Sequence, residues 1–162
     1  MARALRVGAV AGASLLVGWS ALWTNPDACK LLSAQEATAL VGSAVALKHT
    51  ESNSSFSTCN YSAPSQNPLA IPNHAEIHYW LLPDLDAAKA KFQKVVHPGP
   101  MEGTTITPVP KLGDEADIKR TPNLNVNSVE FRRGTAIVTI GVSPIVSDTA
   151  LISAGKKALS RL

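Results

Sequence analysis

Local catalytic devices are what this 162-residue sequence lacks. No Gly-Lys-Ser/Thr step marks a phosphate loop, and no Gly-x-Ser-x-Gly elbow, zinc-protease motif or dinucleotide loop occurs. Reactions that depend on those devices are excluded, which leaves enzymes that assemble scattered polar groups. Cysteine is scarce too: Cys29 and Cys59 are the only two, and neither lies in a Cys-x-x-Cys motif, which argues against a zinc or redox framework. Charged residues make up 17% of the chain and aromatic residues 5%, yet 45% is apolar. That is enough for one core, and the length is too small for two ordinary domains.

Three short motifs imitate chemistry without its context. Asp114-Glu115-Ala116-Asp117 spells the acidic box of helicase ATPases, where a carboxylate holds nucleotide-bound magnesium. The box works only beside a phosphate loop, so these residues read as a solvated loop leading into a strand. The dozen-residue ligand pattern of a calcium loop is also missing. Ser153-Ala154-Gly155-Lys156 matches the Ser-x-x-Lys of penicillin-binding enzymes, but it falls mid-helix and lacks the companion Lys-Thr-Gly and Ser-Asp-Asn. His74 and His78, four apart in or beside a strand, can share a face and offer two metal ligands, and two ligands are not a site. Neither a metal nor a cofactor is expected.

The net charge of +3 suggests a nucleic-acid partner until its location is considered. Arg3 and Arg6 precede the first apolar run, and without them the remainder is about +1, so no nucleic acid is expected. From Val7 to Trp23 there are 17 residues without a charge, and behind two arginines this is the layout of a signal peptide or signal anchor. At about 1.5 Å per residue the run spans roughly 25 Å, a little short of a ~30 Å hydrocarbon core, and both fates stay open. The best cleavage site, Gly18-Trp19-Ser20 before Ala21, has a bulky middle residue, and Cys29 lacks a lipid-acceptor setting. Residues 1–26 are therefore assigned to a segment that meets the membrane, and residues 27–162 to a single extracytoplasmic domain, secreted after cleavage or anchored without it. In an exported chain one cysteine pair is most simply a disulfide, with free thiols at a metal or redox site as the alternative.

Charge is uneven along the rest. Asp27 to Ile118 carries 6 basic and 10 acidic residues, whereas Lys119 to Leu162 carries 7 basic and 2 acidic. The asymmetry marks either a partner surface or two halves that neutralise each other when folded.

Ser33-Ala34-Gln35-Glu36 is a capping box that starts a short helix, with Gly42 as its left-handed stop. Residues 44–48 and 57–62 read as short strands, and 75–81 alternates with Ala75, Ile77, Tyr79 and Leu81 on one face. Pro83-Asp84 opens a helix in which Leu85, Ala88, Phe92 and Val95 recur at helical spacing, and His97-Pro98-Gly99-Pro100 ends it. A proline-rich crossing leads to a strand near 116–120. A hairpin follows, where a two-residue turn at Arg133-Gly134 sets Phe131 against Ala136 and Val129 against Val138. Ser147 caps a last helix, from about Asp148 to Arg161. After the N-terminal hydrophobic helix, the order α-βββ-α-βββ(β)-α predicts an α+β fold: an antiparallel sheet with helices packed on one face.

The run Asp27-Ala28-Cys29-Lys30-Leu31-Leu32-Ser33, then Cys59-Asn60-Tyr61, Ala87 to Phe92 and Pro108-Val109-Pro110-Lys111-Leu112-Gly113-Asp114-Glu115-Ala116 resembles a group of bacterial secreted proteins and lipoproteins of unknown function, mainly actinobacterial. The similarity covers about Asp27 to Leu162. It implies an extracytoplasmic α+β domain with a Cys29–Cys59 bridge and offers no catalytic residues to carry over. The chain departs from the lipoprotein members in lacking an acylated Cys after its apolar segment.

The candidate binding surface is the polar face of the 75–81 strand, where Glu76, His78 and Trp80 lie together. An exposed indole there can anchor a ligand or partner, unless a helix or loop covers it. The expected function is a non-enzymatic binding or accessory module of the cell envelope that meets an envelope protein or small ligand. The alternative is a small envelope hydrolase using scattered polar residues such as His78 and Glu76.

Overall fold

The computed structural model describes residues 27–65, 72–97 and 103–162, so the segment assigned to targeting, 1–26, lies outside the described residues. The domain begins with α1 (Ala28–Leu31), a single turn whose N-cap Asp27 accepts from the Cys29 amide at 2.9 Å. Four residues are too few to carry a periodic apolar pattern, and this turn was not foreseen from the sequence. It is held from outside: Ala28 N donates to Ser57 Oγ, Tyr61 OH donates to Leu32 O at 2.7 Å, and Cys29 is disulfide-bonded to Cys59. The pair is therefore not free. Helix α2 (Ala34–Val41) follows with both hydrogen bonds of the capping box between Ser33 and Glu36, and it ends at Gly42 with φ +76°.

Seven strands form one antiparallel sheet: β1 (Ala46–Ser52), β2 (Phe56–Ser62), β3 (His74–Leu81), β4 (Thr105–Pro108), β5 (Glu115–Thr121), β6 (Val126–Arg133) and β7 (Ala136–Ser143). Their spatial order is β1-β2-β3-β7-β6-β5-β4, so two meanders meet where β3 pairs with β7. Helix α3 (Leu85–Val96), capped by Asp84, joins the meanders, and α4 (Asp148–Leu159), capped by Ser147, closes the chain. The β6–β7 hairpin turns at Gly134-Thr135 rather than Arg133-Gly134. Phe131 accordingly pairs with Val138 and Val129 with Ile140. The slip is two residues in pairing, so the apolar faces still coincide. Gly134 takes φ +58°, the conformation a two-residue hairpin needs and arginine resists.

The α+β class and the helix-covered antiparallel sheet stand, but the helices do not all lie on one face. Helices α1, α2 and α4 cover the face that presents Cys59, Ile77, Tyr79, Val129, Phe131, Val138 and Ile140, all buried. Helix α3 packs on the opposite face, where Phe92 and Val96 meet Ile137, with Trp80, Leu82 and Ile106 around them. The physical reason lies at one end of β7, where Ile137 points to the side opposite Val138 and Ile140 and meets Phe92 and Val96 of α3. Pattern on a single strand could not reveal which helix met which face.

The uneven charge resolves as neutralisation across the fold. Glu36 on α2 receives both arms of Arg161 at 2.7 Å, and Arg132 holds Asp114 and Glu115 at 3.0 and 2.8 Å. The Arg161 guanidinium, opposed by partial burial, holds the Glu36 carboxyl down at about 2. A carboxyl whose folded value lies below its unfolded value stabilises the fold above the unfolded value and loses that contribution as pH falls toward the folded one. Arg161 is partly solvated, so the expected loss between pH 5 and pH 2 is about 1–2 kcal/mol from this pair. Chemical denaturation at stepped pH checks it: in Glu36→Gln the acid-side decline should be shallower by that amount.

Candidate functional site

Alternation on β3 sends His74, Glu76, His78 and Trp80 to the face that α3 only partly covers. Across β2 the same face carries Phe56, Thr58 and Asn60, paired with Trp80, His78 and Glu76 in turn. The rings form a ladder: His78 stacks on Trp80 with centroids 5.5 Å apart, and Phe56 lies 5.5 Å from Trp80 and 6.1 Å from His78. Lys91 of α3 rests over the Trp80 ring at 4.9 Å, a cation–π contact. The indole is thus partly used in docking α3, and its remaining surface continues the ladder.

Glu76, His78 and Trp80 are brought together as expected from their alternation. Glu76 Oε2 lies 3.4 Å from His78 Nε2, and the side chains are 38% and 27% exposed. The His78 hydrogen bond lowers the Glu76 carboxyl below its ordinary value, against burial that raises it. Glu76 can lean this way because its neighbour across β7 is Gly141, where a β-carbon would sit 3.1 Å from Glu76 Oε1. The other motif residues are elsewhere. His74 Nδ1 turns to Pro72 O at 3.0 Å, so the two histidines do not converge. Asp114 and Glu115 bind Arg132, and Ser153 and Lys156 are exposed on α4. Among the described residues, no group of three or more His, Cys, Asp or Glu is arranged to hold a metal ion.

Deeper along the same face lies a set of residues that the sequence did not reveal. Thr139 of β7 stands directly between His78 and Glu130 of β6. Glu130 is fully buried, accepts from Ser128 Oγ at 2.6 Å and has Lys119 Nζ at 3.6 Å. Burial pushes its carboxyl up, and the Ser128 and Lys119 contacts pull against that. Lys119 also donates to Val95 O in the last turn of α3. On β6 the alternation Ser128, Glu130, Arg132 opposite Val129 and Phe131 reads as a solvated face; α3 makes it an interior one. No pattern within β6 signals that cover.

Two surface cavities lie away from this strip, about 450 Å³ between α2 and α4 and about 320 Å³ beside Phe92 and Asp117. Neither is lined by Glu76, His78 or Trp80. A carboxylate beside an imidazole is two parts of a nucleophile-activating triad, but His78 Nδ1 has no hydrogen-bond partner, so no hydroxyl is poised on it.

No family model matches the chain, and no curated protein matches it. Among solved structures, the fold is similar to the extracellular domain of PknH from Mycobacterium tuberculosis, with a TM-score of 0.54 over 82% of this chain and 92% of that one. The identity is 12%, so the likeness is one of fold.

Proposed function

We propose that the chain is a non-enzymatic extracytoplasmic binding or accessory module that presents the strip around Glu76, His78 and Trp80 to a small ligand or envelope partner, with its N-terminal apolar segment as the membrane anchor or export signal. The observation that carries this reading is the asymmetry of the sheet. One face is closed by three helices over an apolar core, whereas the other leaves aromatic and polar side chains half-buried beside α3. The extracytoplasmic part is supported by the Cys29–Cys59 bridge, by the arginines before the Val7–Trp23 run, and by the likeness in fold to an extracellular domain.

A photo-crosslinking amino acid at Asn60, next to Glu76 on the strip, tests it in cells that make the full chain. A discrete adduct is expected, and Glu76→Lys or Trp80→Ala should abolish it or reduce it severalfold. An adduct indifferent to both substitutions, in folded variants, would remove this strip as the binding surface.

A further inference from the structure

The two edges of the sheet differ. At one, β4 is four residues long and ends in Pro108, two features that discourage a further strand. At the other, β1 is seven residues long, pairs with β2 alone among the described strands, and is exposed at every position, so neither sheet face is covered along it. We propose that β1 pairs antiparallel with β1 of a second copy of this chain, on a twofold axis through Thr50. The pairing is independent of what the strip around Trp80 binds.

Backbone direction and charge select that partner and that register. Asn53 N donates to Phe56 O across the turn between β1 and β2, which makes these opposed residues a hydrogen-bonded pair. Alternation along the ladder then turns the N–H and C=O of Thr50 and Ser52 away from β2 and out of the sheet. The one irregularity of β1, between Leu47 and His49, leaves this stretch in regular register. When identical strands pair antiparallel about a twofold axis, the axis passes between a residue and its own copy. An axis at Lys48 or Glu51 sets like charges opposite each other, which destabilises the ladder, and an axis at His49 sets two imidazoles together. At Thr50 the sequence complements itself: His49 of each copy meets Glu51 of the other in a non-hydrogen-bonded pair, the closer kind, while Lys48 meets Ser52 and Thr50 meets Thr50. His49 and Glu51 lie opposite Asn60 and Thr58, on the face that carries Glu76 and Trp80. Because an axis normal to the sheet keeps its faces, the joined sheet presents both strips on one side, about 24 Å apart at ~4.8 Å per strand.

Sedimentation equilibrium of the full-length protein in density-matched detergent micelles provides the test, and a monomer–dimer equilibrium is expected. Thr50→Pro removes an N–H that β2 does not use, so the domain should stay folded while the dimer weakens at least about tenfold. Glu51→Lys should weaken it as much, since the twofold axis makes each substitution act twice. Adding His49→Glu to Glu51→Lys restores opposite charges in the same register and should bring the dimer back, a rescue that a merely structural role would not give. In cells making the full chain, a photo-crosslinking amino acid at Ser52 should yield an adduct of twice the chain mass. A monomer at every concentration, a dimer indifferent to Thr50→Pro and Glu51→Lys, or a Ser52 adduct to a different protein would overturn the proposal. A folded double variant that does not regain the dimer would overturn the Thr50 register.

Discussion

Reduction of the Cys29–Cys59 bridge, or replacement of both cysteines by alanine, is expected to lower the stability of the domain by about 3–4 kcal/mol. The bond closes a loop with a sequence separation of 30, and most of the effect comes from the entropy that the cross-link removes from the unfolded chain. The folded state adds a local reason. A helix of four residues cannot sustain itself, because nucleation fixes several dihedrals for very few hydrogen bonds. The bridge, the Ser57 contact and the Tyr61 contact are what fasten α1 to β2. Urea unfolding with and without reductant measures the loss, and hydrogen exchange should show the amides around α1 opening first. An unchanged midpoint after complete reduction would mean that packing alone holds α1.

A loss of similar size, about 3–5 kcal/mol, is expected for Phe131→Ala. Phe131 is 0% exposed at the centre of β6, between Ala116 on β5 and Val138 on β7. Its ring also lies against the close passage at Gly113, whose φ is +68° and where a β-carbon would run into the Arg132 carbonyl. With backbone packed that tightly on one side and α4 above the same core, the vacated space has little means of collapsing. Thermal or urea unfolding checks the value. Leu47→Ala makes the contrast: Leu47 lies on the edge strand β1 at 53% exposure, and its removal should change stability by less than about 0.5 kcal/mol.

The bridge and Phe131 differ in how legible they were. Two cysteines admit only one intramolecular bond, which the sequence set against free thiols and the structure shows formed. Phe131 could be placed on an apolar strand face, but its partners could not, since the hairpin turn fell one residue later than expected and moved the pairing by two. The candidate site divides the same way. Glu76, His78 and Trp80 follow from strict alternation on β3, a property of the strand itself. Glu130, Thr139 and Lys119 gain their meaning from α3, which crosses from another part of the chain and turns a polar strand face into an interior.

By itself, then, the amino-acid order determined what depends on neighbours a few residues apart: the capping box at Ser33 and Glu36, the left-handed stop at Gly42, the period-two face of β3, and the caps at Asp84 and Ser147. Hydrogen-bond reach and side-chain period set these locally. The tertiary structure decided the order β1-β2-β3-β7-β6-β5-β4, the placement of α3 opposite the other helices, the joining of Glu36 to Arg161 across 125 residues, and the burial of Glu130. Each depends on contacts between distant parts of the chain, and Ile137, on the face of β7 opposite Val138 and Ile140, is covered only when α3 packs on the assembled sheet.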